Sequence, residues 1–434
     1  MNENNSPAGA DSRRSFLKKS SAVAAATIAA PYIALSPNSF ANSQTLKIGL
    51  VGCGGRGTGA AREALKSDKN VVLTAVGDIF DKQIDGALQN LEKEVGDKLK
   101  VENKFVGLDA YQKVIDSGVD FVVLATPPGF RPRHLKAAVA AGKHVFCEKP
   151  VATDAAGVRI ALEAAAEAKK KNLALGSGFC WRANLAERAL FERVVGGEIG
   201  DLRVFYGTYY TSPVKPMPPA NTRPPGMSDV EWQLRNWYNF VWLSGDGLVE
   251  QAVHAVDWMC WAFKDVPPLK AVAVGGRQIP AHGGNIYDHI EVNYEFADGA
   301  RGFLGQRQIA GCANDNSATM YGTKGMAREL GFAGMPWIKG EKNWRYSGPR
   351  PNMYQVEHDD LFASIRAGNP INDGVKLANS SMTAIMGRMA AYTGAEITWE
   401  EALNSNESLV PEKIEWDMDL PVAPIAMPGQ NRVV

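Results

Sequence analysis

"LKIGLVGCGGRGTGAAREALKS", residues 46–67, is the stretch from which the fold can be read. Its first six residues form a short apolar run, the pattern of a buried strand. Its last eight carry a helical pattern. Between them Gly52, Gly54 and Gly57 form G-x-G-x-x-G, with Gly55 and Arg56 inside the loop. A first glycine permits the tight turn, a second lets a pyrophosphate approach the backbone, and a third lets helix and strand pack closely. The helix N-terminus then faces the phosphates. Glycine-rich turns are common, so the weight of the motif comes from its position between strand and helix.

Outward from this loop the alternation continues. "VVLTAVGD" (71–78), "FVVLATPP" (121–128), "HVFCEKP" (144–150) and "LALGSGF" (173–179) read as strands. "LKAAVAAG" and "AAGVRIALEAAAEAKKKN" read as the helices between them. Such alternation predicts a doubly wound parallel sheet, a Rossmann domain over 42–175. Asp78 ends the second strand, where an acid should bond the adenosine ribose and repel a 2′-phosphate. At ~4 Å and an effective dielectric near 20 that repulsion is about 4 kcal/mol. NAD is therefore expected over NADP, although Arg56 keeps NADP open. Thr126, Pro127 and Glu148 lie at the same carboxyl edge and join the cofactor contacts.

Beyond residue 176 the pattern changes. "LRVFYGTYYTS" (202–212) alternates like a half-exposed strand. The Pro-rich "PVKPMPPANTRPPGMSD" (213–229) is too long for an ordinary connection and reads as a functional loop. "KAVAVGGRQI", "HIEVNYEF" and "ARGFLGQRQI" predict antiparallel strands, the last two joined by an Ala297-Asp298-Gly299 hairpin turn. Helical segments at 356–368 and 375–394 precede an extended tail. The expectation is a C-terminal α+β domain over 176–434, with an open, mainly antiparallel sheet.

Two motifs carry chemistry. "CEKP" (147–150) ends a strand at its carboxyl edge, aiming Lys149 at the crevice. Pro150 restricts Lys149 to extended backbone and admits a cis bond. "DGLVEQAVHAVDWMCWAF" (246–263) reads as one helix with Glu250, His254 and Asp257 on one face. An acid and a base there can share a proton with a substrate hydroxyl, and histidine titrates near neutrality. The blander readings are a surface lysine before a turn and a buried histidine bonded to Glu250. Glu-x-x-x-His without a second histidine offers too few ligands for a metal.

Taken together, "GLVGCGGRG", "AGKHVFCEKP" and the acid-x-x-x-His-x-x-Asp helix resemble the glucose–fructose oxidoreductase/inositol dehydrogenase (Gfo/Idh/MocA) family. The likeness runs from about residue 46 to 400. "MTAIMGRMAAYTGAEITWEEAL" (382–403) also resembles a bacterial, often exported branch. The resemblance implies a nicotinamide oxidoreductase acting on a secondary alcohol of a sugar, cyclitol or glycoside, with Lys149 and His254 at the substrate hydroxyl. Glu250 stands where many members have Asp, and a supporting role is expected for it. Trp181, Arg182 and Asn184 in "GFCWRANLAER" (178–188) fall where family members place substrate contacts. Asn236, Trp237 and Asp257 are further substrate candidates, and Asp288 and His289 ahead of a strand complete the set. Two alternatives stay open. One is redox-neutral cleavage or epimerisation through a transient keto-sugar; the other is a non-catalytic sugar-binding protein on the same fold.

The N-terminus bears on location. "SRRSFLKK" (12–19) places Arg13 and Arg14 ahead of an apolar run at 20–35, and Ser39-Phe40-Ala41 offers small residues for cleavage. This resembles a twin-arginine signal over 1–41, cleaved near Ala41, whose export machinery carries folded proteins to the periplasm or beyond. The run is too short and Ala-rich to predict a stable membrane anchor. A protein folded before export can carry its dinucleotide with it, so tight binding is expected. The 434-residue chain has zero formal net charge, 45% hydrophobic and 22% charged residues. That balance predicts a globular protein and argues against a nucleic-acid partner. The five scattered cysteines suggest neither a disulfide framework nor a zinc site. Exposed antiparallel sheet faces predict a homo-oligomer.

Overall fold

The computed structural model describes residues 44–430. The expected leader, Arg13 and Arg14 through Ala41, lies outside the described residues. The first sheet holds β1 (Leu46–Val51), β2 (Val71–Asp78), β3 (Leu99–Val106), β4 (Phe121–Leu124), β5 (His144–Cys147) and β6 (Leu175–Ser177). Their order is β3-β2-β1-β4-β5-β6, and neighbouring strands among the described residues pair in parallel. Four of the six residues of β1 and all four of β4 are buried, as expected of strands covered by helices on both faces. The chain reverses its winding direction at β1 and β4, which opens a crevice at their carboxyl ends. Gly52 follows β1 there, and the Ala125 amide donates to the Val51 carbonyl (2.9 Å). The strand β3 was not foreseen: its alternate residues are exposed, and Lys, Glu and Asn break the apolar run.

The second sheet contains β7 (Leu202–Thr211), β8 (Lys270–Gly276), β9 (His289–Glu295), β10 (Arg301–Gln308), β11 (Ala318–Gly322), β12 (Gly325–Glu329), β13 (Trp337–Gly340), β14 (Trp344–Arg345) and β15 (Ile397–Thr398). Its order is β14-β13-β12-β11-β7-β10-β9-β8-β15. The pairings are antiparallel except β10 with β7, which run parallel. The expected hairpin joins β9 to β10, with Asp298 and Gly299 at positive φ.

A second hydrophobic core, around Ile48, Leu50, Phe121 and Phe146, fills the other face of the first sheet, while the larger one spans both sheets. Its keystone is the helix Gly374–Thr393, which packs on β8 and on the helix Ala155–Lys170 of the nucleotide layer. The latter helix presents Ala161, Ala164, Ala165 and Ala168, all buried, at i, i+3, i+4 and i+7. Small side chains permit close helix approach there. Ser381 on the keystone accepts the Val151 amide (3.1 Å), which fixes the segment after Pro150. The helix Met353–Arg366 likewise packs on the helix Gly55–Ser67. The expected boundary at 175/176 therefore falls inside β6, and the C-terminal helices return to the first layer. Among the described residues no helix is long and apolar enough to cross a membrane.

Candidate active site

A cleft of about 820 Å³ runs from the glycine loop to the inner end of the second sheet. The loop glycines answer different constraints. Gly52 has φ +92°, and a Cβ there would lie 2.7 Å from the Ala125 backbone. A Cβ on Gly57 would lie 1.8 Å from the Gly52 carbonyl oxygen. Gly54 and Gly55 meet nothing within 4 Å and face open cleft. The arrangement is a cradle of bare backbone and fits a dinucleotide pyrophosphate. Asp78 accepts the Cys53 amide (2.7 Å) and the Phe80 amide (3.0 Å), which locks its carboxylate at the crevice. Burial pushes its pKa up, against those two bonds.

Arg56 lines the cleft, but its guanidinium is engaged by carboxylates. Its guanidinium contacts Glu148 (2.5 Å), Glu357 (3.3 Å) and Glu63 (3.6 Å), and lies 4.6 Å above the Tyr354 ring. Burial opposes its charge, but the three carboxylates more than offset this and hold it protonated. Burial also disfavours ionised Glu148, yet Arg56, Arg131 and Lys149 keep its pKa below the usual value. Glu148 thus forms part of the loop's supporting network while still lining the cleft. Gly178 makes room for it, since a Cβ there would lie 2.7 Å from Glu148 Oε2. Thr126 and Pro127 line the same wall.

Lys149 enters from the end of β5, and the Lys149–Pro150 peptide is cis. Its Nζ donates to the Glu250 carbonyl (2.6 Å) and to Glu250 Oε1 (3.3 Å). Both side chains are buried. Glu250 and His254 do not share the one continuous helix that the sequence pattern predicted. The chain forms a turn at Gly247–Glu250, breaks at Gln251 and Ala252, and resumes as the helix Val253–Ala262. Two glycines, Gly245 and Gly247, bring the turn close to Thr153, Gln306 and Gln308. Close packing there, rather than helical periodicity, sets the backbone. Glu250 consequently bonds Lys149 and Gln251, not His254.

His254 also lines the cleft. Its ring packs on Trp181 (centroids 4.7 Å) and edge-on to Phe179 (6.1 Å). Its Nδ1 is buried without a hydrogen-bond partner. Burial, then the Lys149 and Arg56 charges, hold its pKa well below the ordinary histidine value. The resting imidazole is neutral and able to accept a proton.

The other substrate candidates divide. Trp181 and Trp237 line the cleft. Trp181 is only 5% exposed and stacks on Trp258 (4.0 Å), so much of the ring serves the core. Arg182 and Asp257 are not at the cleft. Arg182 grips Asp257 (2.8 Å) and Asp265 (2.5 Å), and Asp257 also accepts Ser380 Oγ (2.7 Å). This buried ion cluster ties the helix Val253–Ala262 to its neighbours. Asn184 caps the helix Leu185–Val195 through the Ala186 amide (3.0 Å), and Asn236 donates to the Trp232 carbonyl (3.0 Å). Asp288 accepts the amides of Gln278 and Ile279 and contacts His289 Nδ1 (2.8 Å). These short polar side chains answer local backbone needs.

Several lining residues were not singled out from sequence. Arg131, 4% exposed, donates to the carbonyls of Thr126 (2.7 Å) and Pro150 (2.6 Å) and so braces two walls of the crevice. Tyr209, Tyr238 and Gln251 line the inner end. Tyr209 belongs to a recognised strand, but nothing in its neighbourhood marks a site. Gln251 follows Glu250 directly and was hidden by the assumption of one helix.

Residues 46–177 match the family model described as "Oxidoreductase family, NAD-binding Rossmann fold", and residues 188–328 match the "GFO/IDH/MocA C-terminal domain". The chain belongs to the Gfo/Idh/MocA oxidoreductase family. Its nucleotide layer is the family's NAD-binding Rossmann domain. Myo-inositol 2-dehydrogenase of Thermotoga maritima is 32% identical over 155 residues, 36% of this chain and 42% of that protein. Trans-1,2-dihydrobenzene-1,2-diol dehydrogenase of Mus musculus is 27% identical over 60% of this chain and 67% of its own. The chain thus matches less than half the length of the Thermotoga relative. Among solved structures, levoglucosan dehydrogenase in complex with NADH and levoglucosan superposes with a TM-score of 0.64. That match is at 20% identity, over 82% of this chain and 99% of the other. An aldose-aldose oxidoreductase from Caulobacter crescentus superposes with the same score at 19% identity, over 82% and 100%. At such identity these two establish the shared fold.

Proposed function

We propose that this chain is an exported NAD-dependent oxidoreductase acting on a secondary alcohol of a sugar, cyclitol or glycoside, with its dinucleotide retained. The observation that carries the reading is the meeting, in one cleft, of the glycine cradle, the Lys149–Glu250 pair and a neutral His254 whose Nδ1 has no hydrogen-bond partner. Bound nicotinamide would supply the hydride acceptor in oxidation and the donor in reduction. Lys149 would bind and polarise the substrate oxygen, while Glu250 orients the ammonium. His254 would take the hydroxyl proton on oxidation and return it on reduction. The inositol and dihydrodiol dehydrogenases among the relatives support a CH–OH substrate of this kind. Asp78 and the surrounded Arg56 support NAD over NADP, because a 2′-phosphate would meet one carboxylate and no free guanidinium.

Export and retention are supported by the twin-arginine leader. A homo-oligomer is supported by the open face of the second sheet. Register aligns Tyr206, Phe303, Asn293 and Val272 across that face. Tyr206, Val272, Val274 and Tyr321 are exposed there.

Hydride transfer in purified, undialysed enzyme tests the reading. Lys149→Ala and His254→Ala should each lower the rate by about 10²–10⁴-fold, with the dinucleotide still identified by mass spectrometry. A wild-type rate in either variant removes the role given to that residue. Cleavage or epimerisation of glycosides without an external acceptor would replace net oxidoreduction with a redox-neutral cycle. Arg13→Lys with Arg14→Lys should leave folded, loaded enzyme in the cytoplasm; normal export would overturn the account of the leader.

A further inference from the structure

Glu250 is the longer of the two acidic side chains that can meet a lysine here, and it has one more rotatable bond than aspartate. A freely rotating carboxylate would hold Lys149 loosely. The structure removes that freedom through a chain of hydrogen bonds. Lys149 Nζ donates to Glu250 Oε1 (3.3 Å), and Gln251 Nε2 donates to Glu250 Oε2 (2.7 Å). Gln251 Oε1 in turn accepts the Tyr209 hydroxyl (2.8 Å). Each carboxylate oxygen therefore has its own donor, from a different side chain.

The break in the helix makes this possible. Gln251 has φ −106° and ψ −55°, at the junction between the turn Gly247–Glu250 and the helix Val253–Ala262. Side chains of adjacent residues on a regular helix point about 100° apart and do not meet. Here they do. The phenol also selects the orientation of the amide. An amide can present either its oxygen or its NH2 to the carboxylate. A hydroxyl donor at the far side requires the amide oxygen there, which leaves the NH2 for Glu250. Burial, then the Glu250 charge, push the Tyr209 pKa up, so the phenol remains a donor.

We propose that Tyr209 and Gln251 are positioning residues that fix the Glu250 carboxylate and, through it, the direction of the Lys149 ammonium at the substrate oxygen. The inference rests on the substrate role given to Lys149 above.

The test uses the loaded full-length enzyme with Tyr209→Phe, Gln251→Ala, Gln251→Glu and, beside them, Lys149→Ala. Tyr209→Phe keeps the ring that packs near Trp181, at 6.3 Å between centroids, and removes only the hydroxyl. Its kcat should fall about 3- to 10-fold with KM little changed, and Gln251→Ala should fall further. Gln251→Glu sets a second carboxyl beside Glu250, and the two cannot both ionise easily. Its pH–rate profile should show an acidic limb moved to higher pH relative to wild type, which a merely structural role would not produce. Thermal midpoints and dinucleotide content should match wild type in Tyr209→Phe. Wild-type kcat in Tyr209→Phe and Gln251→Ala while Lys149→Ala is inactive would overturn this inference alone. So would a rise in KM with kcat intact, the mark of direct substrate contact. A fully active Lys149→Ala would overturn the reading beneath it as well.

Discussion

At Gly57 and Gly55, two glycines in one motif, the same added methyl group has opposite consequences. A Cβ at Gly57 collides with the Gly52 carbonyl at 1.8 Å, and both partners are backbone. Gly57→Ala should therefore push the helix Gly55–Ser67 off β1, costing at least about 1–3 kcal/mol and abolishing dinucleotide binding. Gly55→Ala meets no atom within 4 Å, and its melting temperature should stay near wild type. Thermal unfolding and dinucleotide titration of the two variants check this; equal melting temperatures would contradict the packing argument. The motif was legible from sequence because each glycine answers a constraint set within a few residues. Arg182 and Asp257 were misread for the converse reason. Their pairing spans 75 positions, and no spacing rule separates an arginine that binds substrate from one that binds a distant aspartate.

Among elements, strand and helix existence followed from periodicity, while ends and breaks followed from packing. The helix Gly55–Ser67 begins several residues before its apolar pattern does. The break at Gln251 has no local signature. The junction of β12 with the helix Leu185–Val195 carries another feature that sequence did not reveal. Glu329 accepts the amides of Leu330 and Gly331 through Oε1, while its Oε2 is buried without a partner. Burial pushes its pKa up to about 7. Glu187, buried and bonded to Trp258 Nε1 (2.5 Å), has its pKa raised by burial and then by the charge of Glu329. A carboxyl raised in the folded state keeps its proton while the unfolded chain releases one. The stability it lends is full below the unfolded value near 4.5 and is lost as pH rises through about 7. Glu329→Gln should thus gain stability over wild type as pH rises from 4.5 to 7, levelling off at roughly 3 kcal/mol. Urea midpoints at pH 5 and pH 8 measure it. A variant-to-wild-type difference independent of pH would show that this carboxyl does not titrate as described.

At the scale of the whole molecule, the extended tail ties the end of the chain back to both layers. Leu409 N bonds Asp154 Oδ2 (2.9 Å), which also caps the helix Ala155–Lys170. Farther on, the Trp416 and Leu420 carbonyls accept Ser228 Oγ (2.5 Å) and Gln233 Nε2 (2.6 Å). The Ala426 carbonyl accepts Tyr287 OH (2.9 Å). Trp416 meets Phe80 edge-on at 5.9 Å, and Phe80 lines the cleft just beyond Asp78. Tail, Pro-rich segment and nucleotide layer share a small apolar cluster that includes Met217, Phe240 and Leu243. Trp416→Ala, or truncation after Ser405, should speed dinucleotide release by tenfold or more, since losing about 1.4 kcal/mol of cover suffices. Stopped-flow displacement measures that rate, and an unchanged value would deny the tail any part in retention.

Strand-and-helix alternation, the glycine loop, the acid ending β2 and the lysine of "CEKP" were all readable along the chain. Each rests on geometry internal to a few residues, which any surrounding fold must respect. The pairing of Glu250 with Lys149, the capture of Arg56 by three carboxylates, the core that spans both sheets and the docking of the tail were not. Those arrangements join residues far apart in sequence: Arg56 and Glu148 lie 92 positions apart, and Arg56 and Glu357 lie 301 apart.

 Lys149 and Glu250 are separated by 101. Contacts at such separations depend on where the packed sheets and helices bring the chain together, because burial and charge pairing act through space and leave no periodic trace in the order of residues.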